Sequence, residues 1–280
     1  MKYAPLFILF AFGWAMTSCN LEQEIDIQLP DYQGVPVLEC YLEPGQPFTL
    51  LLSRSARYFD PFPAFDDNLL QNILLDGATV RIRHKERDYR LRNELIFNPF
   101  TGKIFNYFSQ ETIPGDFDHD FELFVTTKEG TTIEARTRIL RPIQMDSVVV
   151  QFREGDTLAR VLTYLTDPPG VDNYFRRVLH KSSLDSLAQQ DFVTDDRFVE
   201  DRIVFGTGYD FVEGDTVINT MFHIDVAYYN FLQSIFNARA SNGNPFGQPG
   251  AIISNLKGNA GAIGIFTGLS YDRKTTVIRR

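Results

Sequence analysis

The chain has 280 residues, of which 44% are hydrophobic and 22% charged, a composition typical of a folded globular protein. Its formal net charge of −9 argues against a nucleic-acid-binding protein, because phosphate backbones require a basic face. The same charge argues against electrostatic binding to an anionic membrane surface, so we expect any membrane attachment to depend on a lipid.

The N-terminus has the pattern of a secretory signal. Lys2 provides a positive charge, an uncharged apolar stretch follows, and two small residues stand directly before Cys19. The apolar stretch is too short for a spanning helix, so we expect residues 1–18 to be a cleaved signal peptide. Small residues followed by cysteine resemble a bacterial lipobox, which implies that Cys19 carries acyl chains such as palmitate. The alternative is an ordinary secretory signal that contains a cysteine by chance.

The segment after the signal is acidic and poorly periodic. Residues 19–34 are therefore predicted to be a tether between the lipid and the folded part. The chain has two cysteines, and if Cys19 is acylated, Cys40 has no partner for an internal disulfide. Cys40 lies in an apolar segment that predicts a strand, so we expect a buried and unreactive thiol.

From residue 35 onward, short segments of strand-like composition alternate with turns rich in glycine and proline, which predicts a mostly β protein. The predicted strands are residues 35–42, 48–52, 78–83, 121–127, 131–139, 145–152, 160–165, 174–180, 203–205, 216–224 and 264–271. Arg141-Pro142 interrupts the pattern. We therefore predict an N-terminal antiparallel β-sandwich of the immunoglobulin or fibronectin type over residues 35–142, and a second β-rich domain over residues 143–280.

One segment has helical rather than strand periodicity. Apolar residues at helical spacing form a stripe on residues 226–240, namely Tyr228, Phe231, Leu232 and Ile235. Asp225 is placed to cap the start of this helix. The stripe predicts packing against the core, and a partner-binding helix is the alternative.

A proline-rich loop combines aromatic and acidic side chains. Its candidate contact residues are Tyr58, Phe59, Phe62, Phe65, Asp66 and Asp67. Aromatic anchors beside carboxylates suit contact with a ligand or partner. Alternatively, the loop is an inter-strand connection whose aromatic rings pack back onto the sandwich.

The stretch Gly115-Asp116-Phe117-Asp118-His119-Asp120 offers carboxylate and imidazole ligands close together. It lacks the ligand spacing of an EF-hand loop and of a zinc site, and a turn before a strand explains it equally well. We predict no metal and no cofactor. No nucleophile elbow or His-Glu-x-x-His motif occurs, so the sequence predicts a protein that is not an enzyme.

Short stretches in a fixed order extend over nearly the whole chain. They are the lipobox with its acidic lead, Tyr41–Phe48, Leu52–Ser55, Asp76–Val80, Met145–Val148, Asp167–Gly170, Asn173–Arg176, Gly214–Val217, Gly243–Phe246, Ser254–Leu256 and a glycine-rich tail ending in Ser270-Tyr271. This set resembles the lipoproteins of Bacteroidota grouped as domain-of-unknown-function family 4249. The resemblance implies an outer-membrane, surface-exposed lipoprotein encoded beside a TonB-dependent receptor, and it implies no catalytic residues. Glu22-Gln23-Glu24 is similar to acidic signals for surface export, although there the acidic residues are adjacent.

Two functions follow as hypotheses. The first is a non-enzymatic outer-membrane lipoprotein that serves a TonB-dependent receptor as an accessory or ligand-capturing partner in nutrient uptake. The alternative is a surface glycan- or peptide-binding module or a hydrolase, in which the loop aromatics stack on sugar rings and paired carboxylates act on the bond.

Overall fold

Alternating apolar and polar residues build the first sheet, as in Pro36–Leu42, where Leu38, Cys40 and Leu42 are fully buried. The structure is a computed structural model that describes residues 34–55, 71–98, 102–166, 168, 170–197, 201–241, 250–259 and 261–280. Residues Gly34–Arg280 form one unit. The predicted signal and tether lie outside the described residues.

The first seven strands belong to one nine-stranded sheet. They are β1 (Pro36–Leu42), β2 (Pro47–Arg54), β3 (Thr79–His84), β4 (Arg87–Asn98), β5 (Lys103–Thr112), β6 (Phe121–Thr126) and β7 (Thr132–Thr137). Two later strands, β15 (Lys257–Gly258) and β16 (Ile263–Gly268), join its two ends, giving the order β15-β7-β6-β3-β4-β5-β2-β1-β16.

Strand β4 divides this sheet into two layers. Its first half pairs with β3 and its second half with β5, and the register shifts between Asn93 and Ile96. Such a bulge bends a strand and lets it serve two sheets. Buried side chains from both halves of the sheet form one core cluster, which makes this part a β-sandwich. The expected fold class, a mostly β protein with an antiparallel sandwich, is confirmed.

The remaining elements are β8 (Ser147–Phe152), β9 (Leu158–Thr166), β10 (Tyr174–Lys181), β11 (Gln190–Asp195), β12 (Arg202–Gly206), β13 (Phe211–Val212), β14 (Thr216–Ile224), α1 (Val226–Ser241) and β17 (Ser270–Val277). Strands β11-β10-β14-β17 form one sheet, and β9 pairs with β8, β12 and β13 in another. Two buried clusters contain side chains from both sheets, so we call this part the second sandwich.

The first sandwich is completed by a strand from near the C-terminus. Strand β16 runs parallel to β1, and Gly264 lies opposite Leu38. Gly264 has a φ of 133°, and a Cβ atom there would lie 1.9 Å from the Leu38 carbonyl oxygen. Only glycine fits such a position.

The division into domains at residues 142 and 143 stays a prediction. The structure adds that two strands from near the C-terminus, β15 and β16, complete the N-terminal sheet.

The predicted strand 264–271 is wrong as a single element. Leu269 donates its N–H to the Leu42 carbonyl beside β1, whereas Ser270 already pairs with His223 of β14. The chain therefore crosses from one sheet to another at Leu269. A continuous run of apolar and small residues does not reveal this change of partner.

Candidate functional site

The structure does not describe the residues that the sequence predicts as the lipid anchor and as the ligand or partner contacts. Cys19 and the loop residues Tyr58, Phe59, Phe62, Phe65, Asp66 and Asp67 all lie outside the described residues. Lipidation at Cys19 and contact by the aromatic loop therefore stay predictions. By contrast, Cys40 is fully buried and free, which confirms the expected burial, and burial raises the pKa of its thiol, which disfavours the reactive thiolate.

The acidic stretch before β6 is occupied by protein cations and histidines. Asp116 Oδ2 lies 3.2 Å from His84 Nε2 and 3.0 Å from His119 Nδ1, and it also pairs with Lys85. Asp118 pairs with Arg141, and Asp120 with Arg136 and Arg138. Within the part of the chain that the structure describes, no group of three or more His, Cys, Asp or Glu side chains is arranged to hold a metal.

A concave surface lies between the outer face of the first sandwich and helix α1, and we call it the sheet–helix groove. Its volume is about 650 Å³, within the usual range of ligand pockets. Its lining comprises Glu39, Tyr41, Glu43, Gln46, Pro47, Thr49, Ile96, Phe97, Asn98, Lys103, Phe105, Phe108, Arg176, Tyr228, Phe231, Leu232, Ile235 and Leu269.

Strand alternation brings three residues of β1 and of the position directly after it to the groove. Because Leu38, Cys40 and Leu42 point into the core, Glu39, Tyr41 and Glu43 at this end of β1 point outward. The neighbouring strands add aromatic side chains to the same face, among them Phe105 and Phe108 of β5. Phe97 of β4 is 61% exposed at the groove.

Helix α1 forms the opposite wall, and its stripe serves mainly as core, as predicted. Tyr228 and Phe231 are buried in a cluster with Ile224 of β14 and Ile265 of β16. Leu232 and Ile235 are only partly buried and reach the groove. The predicted cap is confirmed, because the Tyr228 N–H donates to Asp225 Oδ1 at 2.7 Å.

Arg176 of β10 is a fixed cation in this wall. Its Nε and Nη2 donate to the two Asp191 oxygens at 2.8 and 2.7 Å, and its Nη1 donates to the Tyr228 hydroxyl at 2.9 Å. Burial acts to lower the pKa of Arg176, but Asp191 and Tyr228 together raise it. This guanidinium is therefore charged and already paired.

Each groove carboxylate accepts a hydrogen bond from a tyrosine. The Tyr41 hydroxyl donates to Glu39 Oε2 and the Tyr271 hydroxyl donates to Glu43 Oε1, both at 3.0 Å. Burial and the neighbouring carboxylates raise the pKa of both tyrosines, so both remain protonated donors at neutral pH. Among the described residues, neither Glu39 nor Glu43 forms an ion pair with a protein cation.

Lys103, at the start of β5, faces an aromatic ring rather than an acid. Its Nζ lies 4.7 Å from the centre of the Tyr41 ring, which is a cation–π contact. The same Tyr41 ring meets the Tyr228 ring edge-on at 5.9 Å. The groove thus combines an aromatic floor with two carboxylates, one paired arginine and one lysine held on a ring.

Sequence reasoning missed this groove, although it found parts of it. The stretches Tyr41–Phe48 and Asn173–Arg176 belong to the segments that carry the family resemblance, and the helix stripe predicts packing against the core. The available signal was the alternation along β1, which leaves Glu39, Tyr41 and Glu43 on the face away from the core.

Comparison with known proteins gives a family but no activity. A family model described as "Domain of unknown function (DUF4249)" matches residues 22–275. No curated protein matches the sequence significantly.

Two solved structures show weak likeness to this fold. A chain of a cytokine receptor complex has 10% identity and a TM-score of 0.26, covering 69% of this chain and 86% of that one. A pullulanase complexed with maltotriose from Anoxybacillus sp. LM18-11 has 13% identity and a TM-score of 0.20, covering 66% of this chain and 24% of that one. At these scores the likeness supports no conclusion about the function of this chain.

No helix within the described ranges is long and apolar enough to cross a membrane.

Proposed function

We propose that this chain, which belongs to the DUF4249 family, is a non-enzymatic outer-membrane lipoprotein that captures a ligand in the sheet–helix groove beside a TonB-dependent receptor. The observation that carries the proposal is the groove itself. It is a concave surface in which aromatic and aliphatic side chains alternate with polar groups, several of them held in place by hydrogen bonds or ring contacts, and this composition suits a ligand site. The lipid on Cys19 and the acidic tether would hold this surface at the membrane.

The arrangement of the groove carboxylates favours binding over hydrolysis. Glu39 and Glu43 are four residues apart on one extended segment, so their Cα atoms are separated by about 13 Å. In glycosidases the two carboxyl groups flank the scissile bond from opposite sides, whereas Glu39 and Glu43 project from one segment toward the same face of the sheet. Each of the two groups is also held by its own tyrosine hydroxyl. We therefore assign them to ligand recognition.

The anchor is tested by metabolic labelling with palmitate. Native protein is expected to incorporate the label and to fractionate with the outer membrane, because two or three acyl chains on one residue give durable attachment. Cys19→Ala is expected to lose both properties, while Cys40→Ala keeps them because Cys40 is buried in the fold. A labelled C19A variant would overturn the assignment of the lipid to this residue.

The receptor partnership is tested by affinity purification of the full, lipidated chain in mild detergent. A TonB-dependent receptor is expected to co-purify from the native outer membrane and to be lost when Cys19→Ala prevents anchoring. Recovery of the lipoprotein without any such receptor, under conditions that preserve other outer-membrane complexes, would contradict the partnership.

The groove itself is tested by thermal-shift screening of the folded part with peptide, amine and oligosaccharide libraries. Hits are expected to stabilise the native protein and to lose their effect in Phe108→Ser, which removes an aromatic ring from the groove. Val204→Ser is a matched control, because Val204 is half exposed on β12 outside the groove. Hits that are insensitive to F108S would place the binding site elsewhere.

A further inference from the structure

The charges that line the groove differ in how they are already satisfied. Arg176 is neutralised by Asp191 in a two-point ion pair. Lys103 is held on the Tyr41 ring. Glu39 and Glu43 each accept one tyrosine hydroxyl and, within the described residues, have no protein cation as partner. Among the described residues, the groove charges without an oppositely charged partner are therefore two carboxylates and one ammonium, and their balance is negative.

A half-buried carboxylate that has only one neutral donor still has unused acceptor capacity. An ionised carboxylate offers about four lone-pair sites on its two oxygens. Glu39 and Glu43 each have one oxygen that accepts no hydrogen bond from any described residue. A ligand ammonium or guanidinium can supply charge-assisted hydrogen bonds to these oxygens, which are stronger than bonds between neutral groups.

The remainder of the groove is suited to an apolar body attached to such a cation. Ile96, Phe97, Phe105 and Phe108 on one wall face Leu232 and Ile235 of the helix on the other. Aromatic rings attract cations through their faces, and Lys103 over Tyr41 shows that a cation is accommodated at this floor. The overall charge of −9 would also attract cationic ligands toward the protein.

We propose that the sheet–helix groove binds a cationic amphipathic ligand, an ammonium or guanidinium group carried on an aromatic or aliphatic body, with one of Glu39 and Glu43 in contact with the cation and the other attracting it at longer range. This inference rests on the proposed function of the groove as the ligand site. Two sources share the chemistry, a short peptide with a basic and an aromatic side chain, and a small arylalkyl amine.

The effect of substituting Lys103 on affinity distinguishes a cationic ligand from other ligand classes. A ligand cation would meet the lysine ammonium as a like charge close to Tyr41, so removing that charge should strengthen binding. Removing either carboxylate charge should weaken it. An anionic ligand reverses both signs, and a neutral glycan responds little to either change. The pair of opposite effects therefore separates the three ligand classes.

The test is calorimetric titration of the folded part, residues 34–280, with four probes. These are acetyl-Phe-Lys-Phe-amide, its Phe-Glu-Phe counterpart, phenethylamine and maltohexaose. The lysine peptide or the amine is expected to bind, and the two together show which source the groove accepts. Glu39→Gln and Glu43→Gln are each expected to weaken binding, about tenfold at the carboxylate that contacts the cation and less at the other, and Lys103→Gln is expected to strengthen binding about threefold.

The controls separate this inference from the function on which it rests. Glu122→Gln, on β6 outside the groove, is expected to leave binding unchanged. If the acidic peptide or maltohexaose binds instead, with loss in Phe108→Ser, the groove is a ligand site and the cationic ligand class is overturned. If no probe binds, the cationic ligand class is overturned, while the groove remains to be tested by the library screen. If a probe binds and F108S does not change its affinity, both the inference and the assigned site are contradicted.

Discussion

At the scale of single residues, Arg177 is the least expected feature of the protein. It is fully buried in the second sandwich, and its partners are the neutral oxygens of Asn219, Gln190, Gly206 and Thr163. Burial without a carboxylate lowers the pKa of Arg177 to about 10. The sequence Tyr174–His180 predicts a strand correctly, but nothing in it distinguishes Arg177, which points inward, from Arg176, which reaches the groove.

Arg177→Ala is expected to destabilise the protein by about 3 kcal/mol, because several buried oxygens lose their donor and a cavity remains. Urea unfolding of the folded part measures the change. Arg90→Ala removes an exposed arginine on β4 and is expected to stay within about 0.5 kcal/mol of the native protein. Equal effects of the two substitutions would mean that the buried network does not stabilise the fold.

Asp116 is expected to make the free energy of unfolding depend on pH, and the groups around its carboxylate determine the direction. Lys85, the Asp118 N–H and His119 hold the pKa of Asp116 well below its usual range in the folded state. The unfolded chain therefore binds the proton first as the pH falls, so the contribution of Asp116 is present above the unfolded value and is lost below it.

Asp116→Asn is expected to make stability decline less steeply below about pH 4, because the titrating carboxyl is gone. Thermal unfolding measured from pH 6 to pH 2 gives the slope for each variant. Asp118→Asn, which removes a partner of Arg141 in an exposed pair, is expected to keep the native slope. An unchanged slope in D116N would contradict the assigned role of Asp116.

At the scale of elements, local pattern predicts the strands that alternate clearly and the helix that follows Asp225. It does not predict β4, β5, β11 or the two-residue strands β13 and β15. Strand β4, for example, carries Arg87, Asp88, Arg90 and Arg92 among a few buried residues and so resembles a polar loop. Local pattern also joins β16 and β17 into one strand, because their pairing partners, β1 and β14, lie far away in sequence.

Asp225 joins helix α1 to the first sandwich, and this makes the cap testable. Asp225 Oδ1 accepts from the Tyr228 N–H, while Oδ2 accepts from Thr137 Oγ1 at 2.9 Å. Asp225→Ala is expected to lower the free energy of unfolding by about 1 to 2 kcal/mol, since it removes both bonds. Asp225→Asn keeps a capping oxygen and can still bond Thr137, so it is expected to cost less.

Urea unfolding of the D225A and D225N variants compares these two effects. Ligand titration reports in addition whether the helix wall of the groove has moved. If D225A and D225N are equally stable, the capping oxygen does not hold α1 in place.

At the scale of the whole molecule, the sequence predicts a membrane anchor, and the structure reveals the groove. The predicted signal, the lipobox-like segment and the family resemblance rest on local patterns, so they can be read directly from the sequence. The groove collects side chains from β1, β4, β5, β10 and α1, with Tyr271 of β17 holding Glu43. Spacing along the chain does not reveal that these segments meet, and this is why the site escaped prediction.

The central claim is that ligand binds in the sheet–helix groove, and a reporter placed there tests it most directly. Phe97→Cys puts a thiol at the groove, and buried Cys40 is the only other cysteine of residues 34–280, so an environment-sensitive fluorophore should label the new site selectively. Acetyl-Phe-Lys-Phe-amide is expected to shift the emission of labelled F97C and to leave labelled Val204→Cys unchanged. An equal response at both positions, or none at position 97 while calorimetry detects binding, would contradict the account.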